Sequence, residues 1–157
     1  MTYNADFLKK SIELSRKNIL DNVGGPFGAV IIKDGKVIAE GSNQVTSTND
    51  PTAHAEMVAI RNACKVLNTF DLEGCEIYSS CEPCPMCLSA IYWARLDKIY
   101  FANSRQDAAA IGFDDDFIYQ EIPKPLEART LSCVHVTLPE AQTVFKEWMN
   151  KSDKIEY

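Results

Sequence analysis

A chain of 157 residues, 46% hydrophobic and 24% charged, has the size and balance of one globular domain with a sizeable core, and two independent domains are not expected. Its 16 basic against 22 acidic residues leave a net charge of -6, which offers no electrostatic footprint for a phosphate backbone and disfavours nucleic acid as a partner. The first ten residues lack the apolar core of a secretion signal and no stretch is long enough to cross a bilayer, so a cytoplasmic protein with no membrane partner is expected.

From Ala5 to Leu20 the residues Phe7, Leu8, Ile12, Ile19 and Leu20 recur at helical spacing, and Gly24-Gly25-Pro26 ends this first helix. Residues 28–33 and 36–40 are rich in Val and Ile and flank Asp34-Gly35, the signal of a two-residue hairpin. A polar loop over 42–50 leads to a helix over 53–67, capped by Asp50 with Pro51 at its first position, so that helix should begin just before His54. A strand over 76–79, a helix over 85–95, a strand over 98–102 and a short helix over 107–111 follow. Residues 131–138 read as a last strand, with His135 a packed or surface histidine, and residues 139–150 as a helix carrying Val144, Phe145, Trp148 and Met149. The alternation predicts a three-layer α/β/α sandwich around a mixed five-stranded sheet, with the hairpin antiparallel and the later crossovers parallel.

Two helix starts carry the chemistry: His54-Ala55-Glu56 and Pro83-Cys84-Pro85-Met86-Cys87. In a reducing compartment the six cysteines point to metal binding before disulfides, and Cys64, Cys75 and Cys133, among apolar neighbours, read as small buried hydrophobes. Cysteines at i and i+3 have Cβ atoms about 5 to 6 Å apart, while tetrahedral zinc wants its sulfurs roughly 3.8 Å apart. One imidazole and two thiolates make three protein ligands and leave a fourth position open for water, the pattern of a catalytic site. The helix N-termini favour Cys84 and Cys87 as thiolates. Two thiolates also cancel the zinc charge and weaken it as an acidifier, so a separate base is needed, and Glu56 supplies it. Residues i and i+2 of a regular helix point about 200° apart, so His54 and Glu56 must meet the metal end-on. Cys81 is the main rival ligand; Pro83 and Pro85, which set the helix start, favour Cys84 with Cys87. The H-x-E and P-C-x-x-C elements together match the zinc-deaminase signature.

On these residues the sequence resembles the cytidine-deaminase-like superfamily, and the stretches Asp50-Pro-Thr-Ala-His-Ala-Glu56 and Ser80-Cys-Glu-Pro-Cys-Pro-Met-Cys87 are similar to its purine-directed branch. Gly24-Gly-Pro-Phe-Gly28, Ile91-Tyr-Trp-Ala-Arg95, Gly112-Phe-Asp-Asp115 and the terminal Glu156-Tyr157 extend the resemblance to the small bacterial guanine deaminases, over essentially the whole chain. The resemblance implies Zn2+ as cofactor, hydrolysis of guanine to xanthine and ammonia, and a homodimer that exchanges C-terminal segments of a single domain spanning residues 1–157. It implies that Asn43 hydrogen-bonds the purine edge, that Asp115 contacts ring or amino nitrogens, and that Phe27 and Trp93 supply apolar walls. Tyr157 of the partner subunit would cap the pocket, and the backbone N–H groups of Ala55 and Cys84 would stabilise the tetrahedral intermediate. Ser89 departs from the family, which often has glycine there. A tRNA adenosine deaminase shares both metal elements but should be basic. A cytosine or pterin deaminase would use the same ligands, and a structural zinc module would hold the ion with no role for Glu56.

Overall fold

The run Gly28-Ala-Val-Ile-Ile32 has no polar side chain on either face, which suits a strand covered on both sides. It forms β1 (Gly28–Lys33), an inner strand of a four-stranded sheet in the order β2-β1-β3-β4, with β2 (Lys36–Ser42), β3 (Cys75–Cys81) and β4 (Lys98–Asn103). β1 is antiparallel to β2 and β3, and β3 is parallel to β4. The β1–β2 turn places Asp34 at φ 49° and Gly35 at φ 70°, the two positive values that a twisted hairpin requires. The structure is a computed structural model that describes residues 3–113 and 115–157; Asp114, which adjoins Asp115, lies outside the described residues. The chain divides into two compact units, Met1–Asp116 and Phe117–Tyr157.

Strand alternation sorts the first unit's core into two layers. Ala29, Ile31 and Ile77 pack with Ala55, Ala59 and Ala63 of α3 (Ala55–Leu67) and Ile91 of α4 (Pro85–Trp93). Val30, Ile32 and Tyr78 form the opposite layer with Phe7, Leu8 and Leu14 of α1 (Ala5–Leu20). The α/β/α sandwich is therefore present, and α3 and α4 each join strands that run the same way. Gly41 of β2 lets α3 come this close, because a Cβ there would lie 2.2 Å from the Ala55 carbonyl oxygen and 2.5 Å from the Ala59 nitrogen. This contact presses the first turn of α3 onto the sheet and fixes where His54 and Glu56 stand.

Four expectations are corrected. The sheet has four strands among the described residues, not five: residues 131–138 join no ladder. Their alternating pattern is real, but a strand also needs a partner, and no other strand lies in the second unit. The buried stripe of α1 runs through Ser11, Leu14 and Asn18, while Ile12, Ile19 and Leu20 are exposed. The loop over 42–50 contains a short helix, α2 (Val45–Thr48). Finally, α3 begins at Ala55 rather than before His54. Asp50 is drawn into its own turn, where Oδ1 accepts from the Thr52 N–H at 2.8 Å, which leaves His54 as the extended N-cap at φ -67°, ψ 158°.

α5 (Arg105–Ala110) follows β4 and starts from a capping box in which Ser104 accepts from the Asp107 N–H and Asp107 from the Ser104 N–H. α6 (Asp116–Glu121) opens at the unit boundary, and the second unit continues through a 3-10 turn at Leu126–Ala128 to α7 (Pro139–Asn150), as the periodicity predicts. No helix among the described residues is long and apolar enough to cross a membrane.

Candidate metal centre

His54 and Cys84 are the N-caps of α3 and α4, and neither side chain closes its own helix. Their polar atoms meet each other instead: His54 Nδ1 lies 3.5 Å from Cys84 Sγ and 3.6 Å from Cys87 Sγ. A tetrahedral ion with Zn–N near 2.05 Å and Zn–S near 2.3 Å sets N···S at about 3.6 Å, so both separations fit one shared zinc ion. All three donor atoms lie within 4.8 Å of one another. One nitrogen and two sulfurs also form the donor set that zinc prefers, with a coordination position to spare. Cys81 stands apart from this group, its thiol donating to the Ser104 carbonyl oxygen at 3.6 Å and pushed up to about 11, chiefly by burial.

The electrostatics of the metal-free ligands follow from their contact. Hydrogen bonding from Cys87, together with that from His54, pulls the Cys84 thiol down to about 4 against the cost of burial. Cys87 moves upward, first through its hydrogen-bond contact with Cys84 and then by burial. His54 is raised, first by its bond to Cys84. The contact therefore favours a thiolate at Cys84, and a metal ion competes with protons for all three donors.

Glu56, the second residue of α3, is only 6% exposed. Its Oε1 accepts from Ser79 Oγ at 3.0 Å and its Oε2 from the Cys87 thiol at 3.5 Å. Burial raises its carboxyl above the usual range. The i, i+2 difficulty disappears because His54 is extended and outside the helix, which frees it to turn toward the cysteines while Glu56 reaches the same place from the first turn. The Ala55 nitrogen begins the helix between them, on a fully buried residue.

The other candidates divide. Asn43, just past β2, is buried, and its Oδ1 accepts from the Gly25 N–H at 3.3 Å and the Val45 N–H at 3.2 Å. Phe27 meets Phe113 edge to face, with ring centroids 4.9 Å apart. Asp115 is half-buried, its carboxyl raised by burial and then by the charge of Cys84. Trp93, 66% exposed, is not brought to the ligands: it ends α4, about 12 Å along the helix axis from Pro85. Tyr157 belongs to the second unit and is exposed. Ser89 is exposed and donates to the Pro85 carbonyl oxygen at 2.8 Å, so its hydroxyl is accommodated within α4.

Sequence reasoning missed Ser79, Glu82 and Asn18. Strand alternation from Ile77 places Ser79 on the α3 face, and a hydroxyl buried there calls for a partner. Glu82 Oε2 accepts from the Arg105 N–H at 3.0 Å and so ties the cysteine loop to the start of α5. Asn18 lies on the α1 stripe that the apolar residues alone concealed.

Comparison with known proteins agrees with this geometry. The zinc-binding region of cytidine and deoxycytidylate deaminases matches residues 1–103. A guanine deaminase of Bacillus subtilis is 56% identical over 151 residues, 96% of this chain and 97% of that one. An X-ray structure of guanine deaminase from Bacillus subtilis superposes with a TM-score of 0.96 at 54% identity, covering 99% of both chains. A tRNA-specific adenosine deaminase of Aquifex aeolicus is 34% identical, over 92% of this chain and 93% of its own.

Proposed function

This chain belongs to the zinc-binding cytidine and deoxycytidylate deaminase family, and from that premise we propose that it hydrolyses free guanine to xanthine and ammonia in the cytoplasm. One observation carries the reading: three metal donors at two helix starts surround the approach to a buried carboxylate, in a chain alike throughout its length to a guanine deaminase. Zinc, when bound, supplies the Lewis acidity that brings the ionisation of water toward neutral pH.

His54, Cys84 and Cys87 would hold the ion, and their negative sulfur would leave much of the proton transfer to protein. Glu56 takes that proton and passes it to the ring nitrogen, then takes the second from the hydroxyl on the tetrahedral carbon and passes it to the departing amine. Ser79 occupies Oε1, which leaves Oε2, on the Cys87 side, as the oxygen that moves protons. The backbone N–H groups of Ala55 and Cys84, at the positive ends of α3 and α4, receive the charge that builds as the ring carbon becomes tetrahedral. Asn43 and Asp115 hold polar atoms of the purine, and Phe27, braced by Phe113, covers a face.

The working unit in this reading is a homodimer of one deaminase domain that exchanges its second unit, with Tyr157 of the partner subunit closing the pocket. Support comes from exposed apolar side chains in both units: Val144, Phe145 and Met149 on α7, and Tyr92 and Trp93 on α4. Such surfaces are what two copies bury on association. The net charge of -6 argues for a free base and against nucleic acid.

The test is a panel of guanine, adenine, cytosine and a tRNA anticodon stem-loop, presented to protein carrying one zinc per chain. Turnover of guanine, seen as the ultraviolet change on forming xanthine, is expected. Deamination of the stem-loop with guanine untouched would replace this reading with the tRNA one.

A further inference from the structure

Asn18 lies in the last turn of α1, on the stripe it shares with Ser11 and Leu14, and is 3% exposed. A carboxamide buried there must find partners outside its own helix. Its Nδ2 finds two: the carbonyl oxygens of Gly25 and of Asn43, each at 2.8 Å. Asn43 answers through its side chain, whose Oδ1 accepts from the Gly25 and Val45 N–H groups, and through its backbone, whose N–H donates to the Phe27 carbonyl oxygen at 3.1 Å. Gly24 closes the arrangement, since a Cβ there would lie 2.2 Å from the Asn43 carbonyl oxygen and 2.8 Å from its Oδ1. Helix α1, the 24–27 loop and the end of β2 are thereby joined at one buried side chain.

The network also fixes which way round the Asn43 carboxamide sits. Its oxygen faces two backbone donors, so a flip would set an NH2 group against two N–H groups and lose both bonds. Among the described residues Nδ2 of Asn43 has no hydrogen-bond partner. Asn43 therefore has only a donor to give. We infer that Asn18 is a positioning residue for substrate choice: through the carbonyls of Gly25 and Asn43 it locks the Asn43 amide as a donor, so the site takes a purine with an acceptor at that edge. This rests on the proposed role of Asn43 at the purine.

Two variants of the full zinc-loaded chain test it from opposite sides. Asn18→Leu keeps the volume and removes both donors; Gly24→Ala leaves Asn18 alone and pushes on Asn43 directly. Steady-state kinetics with guanine, calorimetric Kd for the analogue 8-azaguanine, and zinc content are measured for each. The expected result is a rise in KM and Kd of about tenfold or more, the loss of one well-placed hydrogen bond, with kcat within about threefold and zinc unchanged. Unchanged KM and Kd in a folded variant would overturn the inference, as would a loss of activity that only follows a loss of zinc. Should Asn18→Leu not fold, Gly24→Ala decides alone. Wild-type protein that ignores guanine but binds 8-azaguanine would fail the functional reading and leave Kd to judge Asn18; wild type that binds neither would remove both.

Discussion

Replacing Glu56 by Gln separates what this carboxylate does for the reaction from what it does to the fold. Gln keeps the shape, and its Oε1 still accepts from Ser79 Oγ, a bond of 3.0 Å in the wild type. It cannot take up or return a proton. General acid–base catalysis is worth about 10²- to 10⁴-fold, so kcat should fall by that factor, about 3 to 5 kcal/mol of barrier. Stability should move the other way in metal-free protein, because burial makes ionised Glu56 unfavourable in the fold. The sign follows from the raised folded value. Below the ordinary glutamate value the carboxyl is protonated in both states and Gln gains nothing. As pH rises past it the unfolded chain ionises first, and wild-type stability drops until the buried carboxyl ionises as well. The gain of Glu56→Gln should therefore be absent near pH 3 and present at neutral pH. Guanine turnover, zinc content by elemental analysis and urea unfolding of the stripped protein at the two pH values test this together. A variant that binds zinc and turns over within tenfold of wild type would refute the proton-shuttle argument.

Cys84, held down to about 4, should react with iodoacetamide in zinc-free protein even at pH 6, while Cys81, pushed up to about 11, stays unmodified. Peptide mapping checks this; equal labelling of the two, or labelling of Cys84 only above pH 8, would contradict the assignment. Gly41→Ala should cost about 1 to 3 kcal/mol, because the new methyl meets the backbone of α3 rather than a yielding side chain, and should weaken zinc binding with it. Denaturant unfolding and a zinc competition titration measure both, and an unaffected protein would mean that α3 is not seated as described. Deleting residues 155–157 should depress turnover far more than melting temperature, whereas an unchanged rate would discard the capping role of Tyr157 of the partner subunit.

Much of the site was legible because its chemistry is local. The two candidate ligand elements announce themselves through residue type and spacing, and proline at the start of α4 makes Cys84 the N-cap and sets Cys87 in the first turn. What the sequence withheld depends on contacts between distant segments. Asp50 looks like a helix cap, but its bond to Thr52 spends it on a turn and hands the cap position to His54, and that one shift makes the ligand geometry possible. Asn18 and Ser79 are polar residues on apolar faces, invisible to a search for hydrophobic periodicity, yet each holds a side chain to which the proposed function gives a role. Residues 131–138 show the converse, a sound strand pattern whose partner is not written in it.

X-ray absorption at the zinc edge reads out whether the metal has three protein ligands and one place left for solvent beside Glu56. Two sulfurs at about 2.3 Å and two lighter atoms at about 2.0 to 2.1 Å are expected, one of the lighter atoms exchanged when 8-azaguanine enters. A shell of three or four sulfurs, or one that saturated purine leaves untouched, would contradict that arrangement.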